Sequence, residues 1–286
     1  MGVVVLALSS ALLFGTWKFG LGFYRGRLSP WAVLLFSGTA AAVVYGLRGL
    51  TDGRLELGTA ELTAGVIGGL LTLTGTYLLL LAYQRGKVAV AGGVASTGTL
   101  VPVAFTIATG VAVTVSTALG VVMILAGLVA FYLPHAISRR DTGTADRRGL
   151  QESVLLALGA ALSWGTGILV LDLGSRGSVT GTLLVQQCVQ VVAVLILVMA
   201  NPRRQLAAMS WRTYPVLAGS GVALGLANVA FYAAAQEGSI GLVAVLAALS
   251  PLVTALLTFV FMKERLTRME LAALVVVVFG VCCVMA

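Results

Sequence analysis

Along nearly the whole chain, apolar stretches of about twenty residues alternate with short clusters of charged, glycine and proline positions, and about twenty apolar residues is the helix length that crosses a bilayer core. Cutting at those clusters predicts helices over 3–23, 30–49, 61–84, 87–109 and 114–134 in the first half, and over 151–173, 178–200, 212–236, 239–262 and 268–286 in the second. The two sets of five are related. Phe14-Gly15-Thr16 returns as Trp164-Gly165-Thr166, and Leu81-Ala82-Tyr83-Gln84-Arg85-Gly86 returns as Ala233-Ala234-Ala235-Gln236-Glu237-Gly238, at offsets of 150 and 152. The pattern therefore divides the chain into a first repeat, 1–134, a linker, 135–150, and a second repeat, 151–286. An odd number of helices per repeat inserts the second copy upside down relative to the first. The expected fold is an all-α integral membrane protein, ten transmembrane helices arranged as two inverted five-helix repeats around a central cavity.

Composition agrees with this pattern. Hydrophobic residues make up 59% of the chain and charged residues 10%, too little charge to cover a soluble domain of 286 residues. The net charge of +8 would in a soluble protein suggest nucleic acid, but the basic residues sit in short loops without interleaved aromatics, so they bear on orientation. Fourteen of the 18 Lys and Arg fall on one side of a ten-span topology: Arg25, Arg27, Arg85, Lys87, Arg139, Arg140, Arg147, Arg148, Arg203, Arg204, Arg212, Lys263, Arg265 and Arg268. Only Arg48, Arg54 and Arg176 fall on the other. The positive-inside rule then places the linker in the cytoplasm and both termini outside, in a multi-pass protein of the plasma (inner) membrane. Cys188, Cys282 and Cys283 lie within apolar runs and read as small fillers. The start of the chain lacks a basic region before its first apolar run, which favours an uncleaved first helix over a signal peptide.

Polar groups inside spans are costly and usually face a protein interior or a wet cavity. Phe14 and Lys18 share a face of the first helix, Gln186 and Gln190 of the seventh, Asn228 and Tyr232 of the eighth, and Tyr77 marks a face of the third with Thr74. Together with Trp164 these are the candidate substrate-binding residues: Phe14, Lys18, Tyr77, Trp164, Gln186, Gln190, Asn228 and Tyr232. Lys18 is the one basic residue well inside a span, suited to attract an anionic group, although its long stem could also carry the head to the interface. Interhelical hydrogen bonding is the rival role for the glutamines and Asn228. Asp172 and His135 lie near span ends and read as solvated. Pro102 and Pro251 each remove a backbone donor within the fourth and ninth helices, which frees the carbonyl of Gly98 or Ala247 and bends the helix. They are the gating candidates. Gly65-x-x-x-Gly69 and Gly221-x-x-x-Gly225 suit close helix contact.

The stretch from Phe231 carries a recognisable pattern. Phe-Tyr-Ala-Ala-Ala-Gln-Glu-Gly-Ser-Ile-Gly is followed by Leu249-Ser250-Pro251, by Lys263-Glu264-Arg265-Leu266-Thr267 and by Gly280. With Trp164-Gly165, the second half resembles the EamA-type repeat of the drug/metabolite transporter superfamily from end to end. The first half is a weaker copy, in which Val111 stands where Glu264 would be. The resemblance implies a ten-helix carrier with a central cavity, moving amino acids, nucleotide sugars, other metabolites or drugs, and a structural role for Glu264-Arg265 in a cytoplasmic loop. It also implies cytoplasmic termini, where the loop count gives external ones.

These readings predict a secondary transporter that exports or exchanges small metabolites, amino acids or related compounds, by alternating access. Two alternatives stand beside it: a translocase of a phosphorylated or lipid-linked substrate, and a non-transporting membrane scaffold. Proton coupling has less support, because no buried carboxylate is evident in the spans. The sequence holds no His cluster, nucleophile elbow or phosphate loop, so neither enzymatic activity nor a metal or other cofactor is expected. The expected partners are a small-molecule substrate and the lipid bilayer, without nucleic acid; assembly into a homo-oligomer stays open.

Overall fold

The structure, a computed structural model, describes residues 2–23, 29–52, 57–85, 88–110, 114–137, 144–200 and 213–262, and single positions between 269 and 283. Regular structure among the described residues is entirely helical: α1 Gly2–Phe23, α2 Pro30–Asp52, α3 Thr59–Arg85, α4 Val88–Ser96, α5 Leu100–Ala108, α6 Val115–Ile137, α7 Thr144–Ser175, α8 Val179–Met199, α9 Thr213–Glu237, α10 Ile240–Ala247 and α11 Ser250–Met262. Among the described residues, six helices (α1, α2, α3, α7, α8 and α9) are long and apolar enough to cross a membrane. Their outward surface carries large apolar side chains such as Leu50, Leu155 and Met199, exposed at 76%, 67% and 81%. A soluble monomer rarely presents such a surface, whereas lipid solvates it.

The predicted fourth and ninth helices are each interrupted. α4 passes through a tight 3₁₀ turn, Thr97–Thr99, into α5, and α10 breaks at Ala248–Leu249 before α11. The cause is local. Pro102 cannot donate to the Gly98 carbonyl, nor Pro251 to that of Ala247, so the ladder fails about one turn before each proline. The two broken helices meet where the Gly241 N–H donates to Thr106 Oγ1 at 3.1 Å.

The predicted linker is shorter than expected, because α6 runs to Ile137 and α7 begins at Thr144. The tenth predicted helix falls largely outside the described residues. Of its described positions, Ala273 is buried beside Ile124, and Gly280 lies against Gly120 and Ile124 of α6. The basic residues at 25, 27, 54, 87, 139, 140, 203, 204, 212, 263, 265 and 268, and Glu264, also lie outside the described residues.

The helices pack in a crossed pattern between the halves. α1 runs along α9 and α3 along α7; α2 contacts both α8 and α9, and α8 contacts α3. Glycines make the closest approaches. A Cβ on Gly65 would stand 3.0 Å from the Thr182 carbonyl, one on Gly69 2.9 Å from that of Gln186, and one on Gly221 would overlap the Ser37 carbonyl. Both small-residue stripes therefore seat a third helix on the second helix of the other half. Gly15 likewise faces the Ser250 carbonyl and Gly165 the Gly98 carbonyl, at 2.6 and 2.5 Å from where a Cβ would stand. The helix ends follow the same crossing. Gly2 lies by Glu237, Glu61 by Gly177, and Arg85 pairs with Glu152.

Candidate functional site

Six long helices and the two broken helices present polar or aromatic side chains to one cavity, with about 160 Å³ open to water-sized molecules. Helical periodicity selects those side chains. Positions 14, 17 and 18 of α1, 72 and 76 of α3, 164, 168 and 171 of α7, 186, 187 and 190 of α8, and 224, 228, 231 and 232 of α9 lie three, four or seven apart, hence on one face of each helix. α2 adds Ser37 and Gly38. The broken helices add Ser96, Gly98 and Thr99 from one half and Ala247, Ala248 and Ser250 from the other.

Two polar clusters stand out. In the first, Thr72 Oγ1 accepts from Gln190 Nε2 at 2.6 Å and from Gln186 Nε2 at 3.1 Å, while itself donating to the Gly68 carbonyl at 2.7 Å. Gln187 Nε2 donates to Gln190 Oε1 at 3.2 Å, and the Trp164 indole N–H is shared between the Thr72 carbonyl and Thr76 Oγ1, both at 3.2 Å. This network ties α3, α7 and α8 together. In the second cluster, the Lys18 ammonium donates to Ser250 Oγ at 2.9 Å and stands 6.0 Å from the Trp164 ring centroid, within the range of a cation–π contact. Asn228 Nδ2 donates to Tyr45 Oη at 3.0 Å, and Phe14, Phe231 and Tyr232 form edge-to-face contacts at 6.4 and 5.0 Å. Two buried lining residues leave a polar atom unpartnered: the Trp17 indole N–H and Gln186 Oε1.

Of the sequence candidates, the cavity brings together Phe14, Lys18, Trp164, Gln186, Gln190, Asn228 and Tyr232. Tyr77 is not among its lining residues. Its ring stacks on Trp31 at 4.8 Å and packs beside Leu34, Leu73 and Val194, on a neighbouring face of α3. Thr74 is exposed on the outer surface. The polar face of α3 is instead Thr72 and Thr76, which sequence reasoning passed over together with Trp17, Ser37, Phe231 and Ser250. The i, i+4 spacing of the two threonines and the place of Trp17 beside Lys18 were the available signals.

Asp172 also departs from expectation. It is 7% exposed, because Gln236 of α9 covers it and donates at 3.3 Å while Arg176 stands at 3.8 Å. A buried carboxylate thus lies within the fourth of the long apolar helices, outside the cavity lining. The side chains of His135 and Pro251 lie outside the described residues.

Residues 151–286, the second half of the chain, match the model of the EamA-like transporter family. A solved structure, described as a crystal structure of a protein, shares the fold with a TM-score of 0.79 at 17% identity, over 98% of this chain and 95% of that one. A comparison with curated proteins found no match.

Proposed function

From the premise that residues 151–286 match the model of the EamA-like transporter family, in a chain with apolar membrane-length helices, we propose that the whole chain is a secondary carrier that exports or exchanges small metabolites by alternating access. The family match indicates a membrane transporter rather than an enzyme. The observation that carries the finer reading is the shared cavity: Lys18 and Thr72 reach it from the first half, and Trp164, Gln186, Gln190 and Asn228 from the second.

Three features support two inverted five-helix repeats, 1–134 and 151–286, joined by 135–150. The small-residue stripes of α3 and α9 each seat on the second helix of the other half. The matched Gly15 and Gly165 each face a carbonyl at the other half's broken helix. The start of α1 meets the end of α9, while α3 and α7 meet at both ends. Corresponding helices running in opposite senses would give those meetings. Such symmetry lets the halves exchange inward and outward openings by rocking about a fixed site. The substrate site is Phe14, Lys18, Trp164, Gln186, Gln190, Asn228 and Tyr232 with Thr72. Interruptions near Pro102 and Pro251, both bordering the cavity, are the hinges. The excess of basic residues in alternate loops supports external termini in a plasma (inner) membrane.

Counterflow tests the proposal. Purified protein in lipid vesicles preloaded with a substrate pool is expected to give saturable, transient accumulation of labelled substrate. Vesicles that give only linear leakage across amino acids, monocarboxylates, nucleosides and sugars would exclude a carrier and favour the scaffold reading.

A further inference from the structure

The cavity has an unbalanced charge. Lys18 is the one charged residue among the described residues of its lining. Its ammonium has one protein acceptor, the neutral Ser250 Oγ, and one aromatic face, Trp164. The buried carboxylate on α7, Asp172, is eight residues beyond Trp164, about 12 Å along the helix, and is already held by Gln236 and Arg176. A cation in a narrow cavity with room for few waters and no counter-charge is incompletely solvated, and an anion that pairs with it offsets that cost. The other polar groups of its described lining are neutral: hydroxyls, the Trp17 indole N–H and the amides of Gln186, Gln187, Gln190 and Asn228.

Resting on the carrier reading above, we infer that the transported substrate is a net monoanion, a monocarboxylate with an apolar, ring-sized body, bound carboxylate to Lys18. Three considerations select this class. A zwitterion such as an α-amino acid brings an ammonium that calls for a counter-charge of its own, and the described lining residues hold no carboxylate. A phosphate monoester brings nearly two negative charges at neutral pH, whereas the lining supplies one lysine without an arginine fork. Most of the wall's area is apolar, and about 160 Å³ is well below the roughly 300–1,000 Å³ of pockets for drug-sized ligands, which limits the occupant to a small metabolite. The substrate body lies among Phe14, Phe231 and Trp164.

The test holds the ring constant and varies the charge. Binding of 3-phenylpropionate, L-phenylalanine, phenethylamine and phenyl phosphate to the purified detergent-solubilised protein is measured by calorimetry at neutral pH. The expected result is saturable binding of 3-phenylpropionate ahead of the other three. Lys18→Met is expected to weaken it on the order of thirtyfold, the effect of removing one partner of a buried charge pair, and Lys18→Arg to retain most of it. Equal or tighter binding of the zwitterion, the amine or the phosphate overturns the inference, as does unchanged 3-phenylpropionate affinity in a folded Lys18→Met, or no binding by any probe. Counterflow of the same compounds separates the two claims. Charge-selective binding without counterflow would sink the carrier reading alone, and counterflow of phenylalanine in preference to 3-phenylpropionate would sink the monoanion alone.

Discussion

Replacing Thr72 by valine keeps its shape and deletes the hydroxyl on which two glutamines converge. Gln186 Nε2 and Gln190 Nε2 lose their acceptor, at 3.1 and 2.6 Å, while the third bond, to the Gly68 carbonyl, is internal to α3. Interhelical hydrogen bonds in membrane bundles contribute about 0.6 kcal/mol each on average. A buried donor left unmet costs about 1–3 kcal/mol. Both amides border a cavity that water can enter, so the lower bound applies if water replaces the hydroxyl and the upper if it does not. With two amides involved, the expected loss is about 1–6 kcal/mol between these two limits, read as a fall in Tm of about 2–10 °C for a chain of this size. Thr72→Ser, which keeps the oxygen, is expected to stay near wild type in thermal unfolding of the detergent-solubilised protein. A valine variant as stable as wild type, or a serine variant as damaged as the valine, would refute the hub.

Other substitutions separate packing from polarity. Gly221→Val places a Cβ on the Ser37 carbonyl, backbone that cannot swing aside, and is expected to cost about 1–3 kcal/mol or more and to lower the yield of monodisperse protein on gel filtration. Tyr77→Phe keeps the stack on Trp31 and is expected to leave counterflow unchanged, whereas Tyr77→Ala loses about 0.5–1.5 kcal/mol of ring contact and shows as a lowered Tm. Arg85→Ala removes one partner of an ion pair whose side chains are both more than half exposed, so its effect on Tm is expected to stay within the about 0–1 kcal/mol of a surface pair.

What was legible in the sequence was what neighbouring residues decide. Small residues at i, i+4 mark a helix face that another backbone can approach, and Gly65, Gly69, Gly221 and Gly225 do make such approaches. Polar residues at the same spacing marked the inward faces of α8 and α9. Tyr77 was paired with Thr74 as an i, i+3 face of the third helix, and Thr74 lies exposed on the outer surface. On α3 the two hydroxyls at Thr72 and Thr76 point to the cavity, and the larger ring one residue on finds a partner in Trp31 of α2. No local pattern on α3 records that partner. Asp172 failed for the same reason, since the group that buries it, Gln236, arrives from α9. The prolines located the bends in the fourth and ninth helices. The breaks themselves fall about a turn earlier, because proline acts through the carbonyl four residues before it.

A pair of single cysteines on α3, made in a chain whose Cys188, Cys282 and Cys283 are replaced by alanine, tests for a wet cavity between the halves most directly. Thr76→Cys stands on the cavity wall and Thr74→Cys on the exposed outer face of the same helix, two residues apart. In membranes, a charged thiol reagent is expected to label Cys at 76 and to spare Cys at 74, with 3-phenylpropionate slowing the first reaction. Labelling at 74 with none at 76 would mean that no water-filled hollow lies between the two groups of helices.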